Sequence, residues 1–314
     1  MEIILFLYFS FLLGIGVIAS KNVNNISDYY VGGKQLNYWI AALSARSTGE
    51  SGWLLLGVTG MGAVMGLSAF WIVLGEVIGV FLSWHFMAAK FKNLTDRYNS
   101  ITVPDFLHSH FNAKTNTIRI IAATALSAFV VIYVSAQIDI TGKTFESFLG
   151  YNYYNGIFIG FGIVVAYIFS GGFLAVAWSD IFQGSLMFVA LLILPIVAYF
   201  QLPKDTNFLQ GLSDIDPSLL NIWGDGGFNL LNAFSVIGLL SIGIGFLGSP
   251  QVYVRFIAIR DSAEIKKGKI VAVLYTLITS SSAVIIGMLG RFMFTTSNQN
   301  PELALGVAGE NVLY

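Results

Sequence analysis

Cysteine is absent from the 314 residues and charge is scarce, with Asp, Glu, Lys and Arg together at 11%. The first absence excludes a disulfide scaffold and leaves the redox compartment undetermined. The second excludes a water-soluble globule, whose surface needs about 25–35% charged residues. The formal net charge is −1 with no basic block, so the chain has no electrostatic footprint for nucleic acid. What is present is 56% apolar and 15% aromatic residues with 33 glycines. That richness also excludes a disordered tail. The composition is that of an all-α polytopic membrane protein whose partner is the lipid bilayer.

A bilayer core takes about 20 apolar residues per helix. Eight stretches qualify: 2–20, 38–66, 67–90, 118–147, 153–173, 174–200, 228–257 and 270–292. The 153–200 stretch also reads as one long hairpin turning at Gly171-Gly172. The first stretch offers a cleavage-like Val17-x-Ala19, but Glu2 leads it and Lys21 follows it, the reverse of signal-peptide polarity. It reads as a retained span with its N-terminus outside. That orientation puts 12 of the 16 basic residues inside and leaves Lys143, Lys204 and Arg291 outside, with Arg46 in a span. Such a bias is the positive-inside pattern, and the protein is expected in the cell inner (cytoplasmic) membrane.

Two spans are interrupted. The second carries Arg46-Ser47-Thr48-Gly49-Glu50-Ser51-Gly52, without one apolar side chain, and the seventh carries Gly243 through Gln251 with Gly245, Gly248 and Pro250. Freed carbonyls at membrane depth need a partner, so irregular backbone survives there beside a cavity or an ion. The breaks lie five spans apart, an odd number, so the broken helices cross in opposite directions, as an inverted repeat requires. The competing reading is that the glycines only allow close helix packing, which leaves Arg46 and Glu50 unexplained. The Gly243/Gly245/Gly248 spacing also matches a dinucleotide fingerprint, but that motif needs a soluble strand–turn–helix.

An ionised side chain near the bilayer centre costs about 2.5–3.5 kcal/mol on insertion scales. Arg46, Glu50, Glu76, Asp139 and Asp180 lie in or near spans. Arg46 and Glu50, four apart, can neutralise one another on a helix, or one of them loads a cation or proton. Glu76 has no partner nearby in sequence: it could face a hydrated cavity, pair across helices or stay protonated. Asp139 and Lys143 read as a helix-surface pair, and His85 as interfacial. Asp180, behind Trp178, reads as the candidate for an inward-facing ion pathway. His108 and His110 share a loop, and no nucleophile–base pair or metal spacing occurs. No enzyme and no cofactor are expected, and no protein partner is inferred.

A set of short motifs runs through the chain: Asp28-Tyr29-Tyr30-Val31-Gly32-Gly33, Ala42-Leu43-Ser44-Ala45, Ser51-Gly52-Trp53-Leu54-Leu55 and Val103-Pro104-Asp105-Phe106. It continues through Gly171-Gly172-Phe173-Leu174-Ala175-Val176-Ala177-Trp178-Ser179-Asp180, then Gly243 to Gly248, Pro250, Arg255 and Phe256. In these stretches the chain resembles the sodium/solute symporter family, and within it the sodium/proline branch. The resemblance implies a five-plus-five inverted-repeat, leucine-transporter-like fold with an extra N-terminal helix at 1–20. Residues 38–200 would form the first five-helix repeat and 228–314 the incomplete start of the second, within one transporter domain. It implies cation-coupled symport of a small polar solute, such as proline or another amino acid, with sodium as the coupling ion. The cation would be met by Ser47, Thr48, Glu50 and Asp180, through the backbone carbonyls of Ser47 and Glu50. The solute would meet Ser51, Gly52, Trp53, Tyr133, Gly245, Phe246, Pro250 and Gln251.

Two positions depart from the proline-type pattern. Gly49 stands where an Asp is usual, with Glu50 beside it, leaving sodium and proton coupling both open. Ile242 stands where a Trp is expected, which leaves the solute open. Family members also continue past the point of Tyr314 through the helix that completes the sodium site, so residues 1–314 alone are expected not to transport. A solute sensor on the same scaffold is the alternative reading.

Overall fold

The computed structural model describes residues 2–202 and 207–293. The helices are α1 (Glu2–Ser20), α2 (Ile26–Val31), α3 (Tyr38–Gly52), α4 (Thr59–Met65), α5 (Phe70–Leu82), α6 (Ala89–Arg97) and α7 (Val103–His110). They continue with α8 (Thr117–Leu149), α9 (Tyr153–Phe200), α10 (Phe208–Ile215), α11 (Leu230–Ile244), α12 (Pro250–Ala258) and α13 (Ile265–Met293). Extended pairing among the described residues is confined to an isolated parallel bridge between Leu36 and Ile259. Helix starts follow local chemistry: Asn25, Thr102, Asn207 and Asn229 each accept a hydrogen bond from the backbone N–H three residues on.

Among the described residues, six helical runs are long and apolar enough to cross a bilayer. Two are too long for one crossing: Tyr38–Arg97 has 60 residues and Tyr153–Phe200 has 48, about 90 and 72 Å if straight, against a core of about 30 Å. Both double back. Trp53 Nε1 donates to Glu76 Oε1 at 3.0 Å, a pair that an unbroken helix would hold about 35 Å apart. The turn lies at Gly66, where φ is 57° and ψ is −129°, a conformation open to glycine without strain. In α9, Gly156 packs on Phe145, whose ring stacks on Phe9, while the neighbouring Tyr8 packs on Phe182. Residues 156 and 182 of an unbroken helix would lie about 39 Å apart. The reversal is at Gly172, with φ 55° and ψ −146°. The reversals lie at or within two residues of the boundaries expected at 66/67 and 173/174.

The chain divides into two compact units. One holds the chain up to Gly49, Leu82–Gly184 and Ser249–Ala272; the other holds Glu50–Phe81, Ser185–Gly248 and the chain from Val273. In the first, α1 lies on the α9 hairpin: Leu12, Ile15 and Ala19 share a core with Tyr167 and Ala175, and Gln183 Nε2 donates to the Tyr8 hydroxyl at 2.8 Å. The leading helix is thus a packed element of its unit. In the same unit the Glu264 carboxylate accepts from the Tyr38 N–H at 2.9 Å and so caps α3. In the second unit, Leu54, Val58, Val73, Leu212, Val284 and Ile286 form the core.

Burial runs opposite to that of a soluble protein. Phe158, Phe169, Phe200 and Leu230 are each at least 74% exposed, whereas Arg46, Glu50 and Glu76 are at most 2% exposed. An apolar exterior of this kind is stable against lipid rather than water.

The glycines of the seventh span divide by role. A Cβ on Gly243 would lie 1.8 Å from the Gly75 carbonyl oxygen, whereas Gly238, Gly245 and Gly248 have nothing within 4 Å. Close packing therefore accounts for Gly243 alone among these four. Gly243→Ala is expected to destabilise the folded protein by about 1–3 kcal/mol through overpacking, while Gly238→Ala stays within about 0.5 kcal/mol; thermal unfolding in detergent measures the contrast.

Candidate functional site

Both interruptions expected from the sequence occur, each narrower than the polar stretch that signals it. In α3 the helix persists through Arg46–Glu50, and the backbone leaves helical space at Ser51, with φ 40° and ψ −152°. The left-handed region is costly for a residue with a Cβ. In the seventh span α11 is regular to Ile244, a 3₁₀ turn covers Gly245–Gly248, and Ser249 is extended at φ −72°, ψ 111° before Pro250 opens α12. Pro250 supplies the reason, since proline has no N–H to donate and pushes the residue before it out of the α region.

Within the first unit, the turn that precedes α3 touches the turn that follows α12. Leu36 donates its N–H to Ala258 O at 3.0 Å and accepts from Arg260 N–H at 2.7 Å. Higher on α3, Ser44 and Thr48 meet Arg255 of α12. Rising numbers on α3 therefore meet falling numbers on α12, and the two helices run in opposite directions there.

Asp180, on the outgoing arm of α9, is the centre of this cluster. Its Oδ2 accepts from Ser44 Oγ at 2.5 Å, Arg255 Nη2 at 3.0 Å and Thr48 Oγ1 at 3.3 Å. Its backbone carbonyl accepts from Ser47 Oγ at 3.1 Å. Arg255 also donates from Nε to Ser44 Oγ at 3.0 Å, from Nη2 to Thr48 Oγ1 at 2.7 Å and from Nη1 to the Gln251 carbonyl at 2.9 Å. The guanidinium carbon lies 5.3 Å from the centre of the Phe173 ring, within cation–π range. Asp180 is 8% and Arg255 5% exposed, so each charge depends on the other in a low-dielectric setting. The Thr48 carbonyl, in the last turn before the break, accepts from the Tyr133 hydroxyl at 2.8 Å.

The structure thus brings together Ser47, Thr48, Asp180, Tyr133 and Gln251 in the first unit, where Pro250 opens the helix carrying Arg255. Glu50, Ser51, Gly52, Trp53, Gly245 and Phe246 fall in the second unit. There Trp53 is tied to Glu76, and Glu76 Oε2 accepts from Ser280 Oγ at 2.7 Å, so two neutral donors hold Glu76 across helices. Asp139 and Lys143 do pair, at 3.1 Å, with the Tyr153 hydroxyl also donating to Asp139 at 2.6 Å. Sequence reasoning missed Arg255 as the partner of Asp180, 75 residues away. The available signal was a lone Arg in the apolar run after Pro250. It also missed Lys92, 2% exposed, which bridges Asp96 at 2.9 Å and the Ile257 carbonyl at 3.2 Å.

The sequence profile described as the sodium:solute symporter family matches residues 29–311. The chain belongs to this family. It is 36% identical over 283 residues to the high-affinity proline transporter PutP of Bacillus subtilis (strain 168), covering 89% of this chain and 58% of that protein. It is 34% identical over 301 residues to the osmoregulated proline transporter OpuE of the same organism, covering 95% and 60%. These relatives are transporters, not enzymes. The chain also shares the fold of a Na+-coupled sialic acid symporter solved in a substrate-bound outward-open state. The TM-score is 0.81 at 20% identity, over 98% of this chain and 65% of that one. The chain therefore spans about 60% of the length of the curated relatives it matches.

In this family member the Asp180–Arg255 pair is expected to behave as one unit. Arg255→Met alone should cost about 3–5 kcal/mol by stranding a buried carboxylate, and Asp180→Leu/Arg255→Met should recover most of that loss. Thermal unfolding of the three proteins checks it, and a double variant no more stable than the single would mean the groups are not coupled.

Proposed function

We propose that the chain serves sodium-coupled symport of a small polar solute, such as proline or another amino acid, across the cytoplasmic membrane. The observation that carries this reading is the left-handed break of α3 at Ser51, in a buried helix with Thr48 and Ser47 in the turn before it. Carbonyl oxygens in the last turn before such a break are ligands that a dehydrated alkali cation can take in place of water. The coupling ion is assigned to Ser47, Thr48, Glu50 and Asp180, with the Ser47 and Glu50 carbonyls as direct ligands. The solute is assigned to Ser51, Gly52, Trp53, Tyr133, Gly245, Phe246, Pro250 and Gln251. Family membership and the proline-transporter names of the relatives support the class of solute.

The architecture proposed is eight crossings with the N-terminus outside. Here α1 is the additional helix, residues 38–200 form one five-helix repeat, and the chain from 228 begins an inverted second. The opposite directions of α3 and α12, each beside a break, support it.

The test is uptake of labelled proline by the full-length protein in proteoliposomes under a sodium gradient, a proton gradient or neither. Accumulation driven by inward sodium is the expected result, and accumulation indifferent to both gradients would remove the symport reading. Glu50→Gln is expected to shift the apparent cation affinity of that uptake or its pH dependence; unchanged affinity at every pH would make Glu50 a structural partner of Arg46.

A further inference from the structure

The second unit holds a buried acid that the cluster around Asp180 does not use. Glu76 lies midway along α5 and is 1% exposed. The Gly66 turn brings Trp53 to it, and the indole N–H donates to Oε1 while Ser280 Oγ of α13 donates to Oε2. Both donors are neutral, and they fill two of about four lone-pair positions on a carboxylate. No Lys or Arg pairs with Glu76 among the described residues.

The elements packed around it offer no compensating charge. Residues 53–75, 185–200 and 230–248 contain no Asp, Glu, Lys or Arg. The unit's share of α13 contains Arg291 alone, about 16 Å along the helix from Ser280. Among the described residues of the unit the other buried acid is Glu50. An ionised carboxylate in a low-dielectric interior requires a positive partner. Around Ser280, α13 carries hydroxyls instead of bases: Thr276, Thr279 and Ser280 are each 0% exposed. Residues 276 and 280 are one turn apart on one helix face, and the Thr279 hydroxyl donates to the Tyr275 carbonyl, leaving its oxygen lone pairs available. A carboxylate with neutral hydroxyl oxygens is a donor set for a hard monovalent cation, not for a thiophilic or imidazole-seeking metal.

We propose that Glu76 is the anionic centre of a second cation-binding site, with Ser280 and the neighbouring α13 hydroxyls beside it, for a monovalent cation that is either sodium or the protonated amine of the solute. The sodium arm stands independently of the symport reading; the amine arm rests on it. Trp53, hydrogen-bonded to the same carboxylate, is a built-in reporter.

The experiment uses full-length protein in detergent at constant ionic strength, following tryptophan emission and subtracting a Trp53→Phe protein. It is titrated with sodium chloride against choline chloride, then with proline and with an amine-free cyclic carboxylate of similar size. The same titrations are run on Glu76→Gln, which keeps an acceptor for Trp53 and removes the charge. If sodium alone occupies the site, Glu76→Gln weakens the sodium response at least tenfold. If the solute amine occupies it, sodium is unchanged, proline weakens at least tenfold and the amine-free compound does not. Equal affinities in wild type and Glu76→Gln for all three overturn the proposal and make Glu76 a structural hydrogen-bond acceptor. Should Glu76→Gln fail to fold, the wild-type difference signal decides: a Trp53 emission indifferent to both sodium and proline overturns it equally. Sodium-driven uptake in wild type, measured alongside, separates failure of this site from failure of symport.

Discussion

A backbone carbonyl or a carboxylate placed inside hydrocarbon has no water to turn to, and this constraint orders the molecule. It keeps the described chain helical, pushes phenylalanine and leucine outward and draws Arg46, Glu50, Glu76, Asp180 and Arg255 inward. Once a charge is inside, its neighbours must answer it. Asp180 is answered by a guanidinium and two hydroxyls, and the guanidinium by a carbonyl and an aromatic face. Where the ladder is interrupted, at Ser51 and at Ser249-Pro250, the same constraint requires the freed backbone groups to find other partners.

Glycine does two separable jobs in this fold. Gly66 and Gly172 reverse the chain in one residue, converting two overlong apolar runs into hairpins and bringing Glu76 to Trp53. Gly243 lets α11 come within touching distance of α5 along the backbone. Neither job explains Gly245 and Gly248, whose surroundings are open, and this leaves the 3₁₀ turn before Pro250 as a weakened stretch of helix. Sequence spacing alone makes these glycines look alike; only the three-dimensional surroundings separate them.

The fold was legible where its physics is local. Span positions follow from apolar run length, the reversal in α9 from Gly171-Gly172, and the breaks from the polar stretch Arg46–Gly52 and the Gly243–Gln251 stretch with its Pro250. The Asp139–Lys143 pair could be read from four-residue spacing. What could not be read is what the topology brings from afar. Arg255 looked like one more inner-side base, and nothing near it in sequence indicates that it closes on Asp180 and Ser44. Lys92 looked like a loop charge and is instead buried against the Ile257 carbonyl. Ser280 is one hydroxyl in a run of Thr and Ser, singled out only by contact with Glu76. The width of the first break was also hidden, because Ser47 satisfies its hydroxyl on the Leu43 carbonyl at 2.9 Å and so stays in the helix despite its polarity.

The central claim is that the helix interruption at Ser51 exposes peptide oxygens for an alkali cation. Hydrogen exchange of backbone amides from Arg46 to Leu56, read by mass spectrometry on the full-length protein in sodium and in choline, tests it directly. The account predicts exchange around Ser51 faster than in the midst of α5, and slowed by sodium but not by choline. Amides as protected as those of α5, and indifferent to sodium, would contradict it.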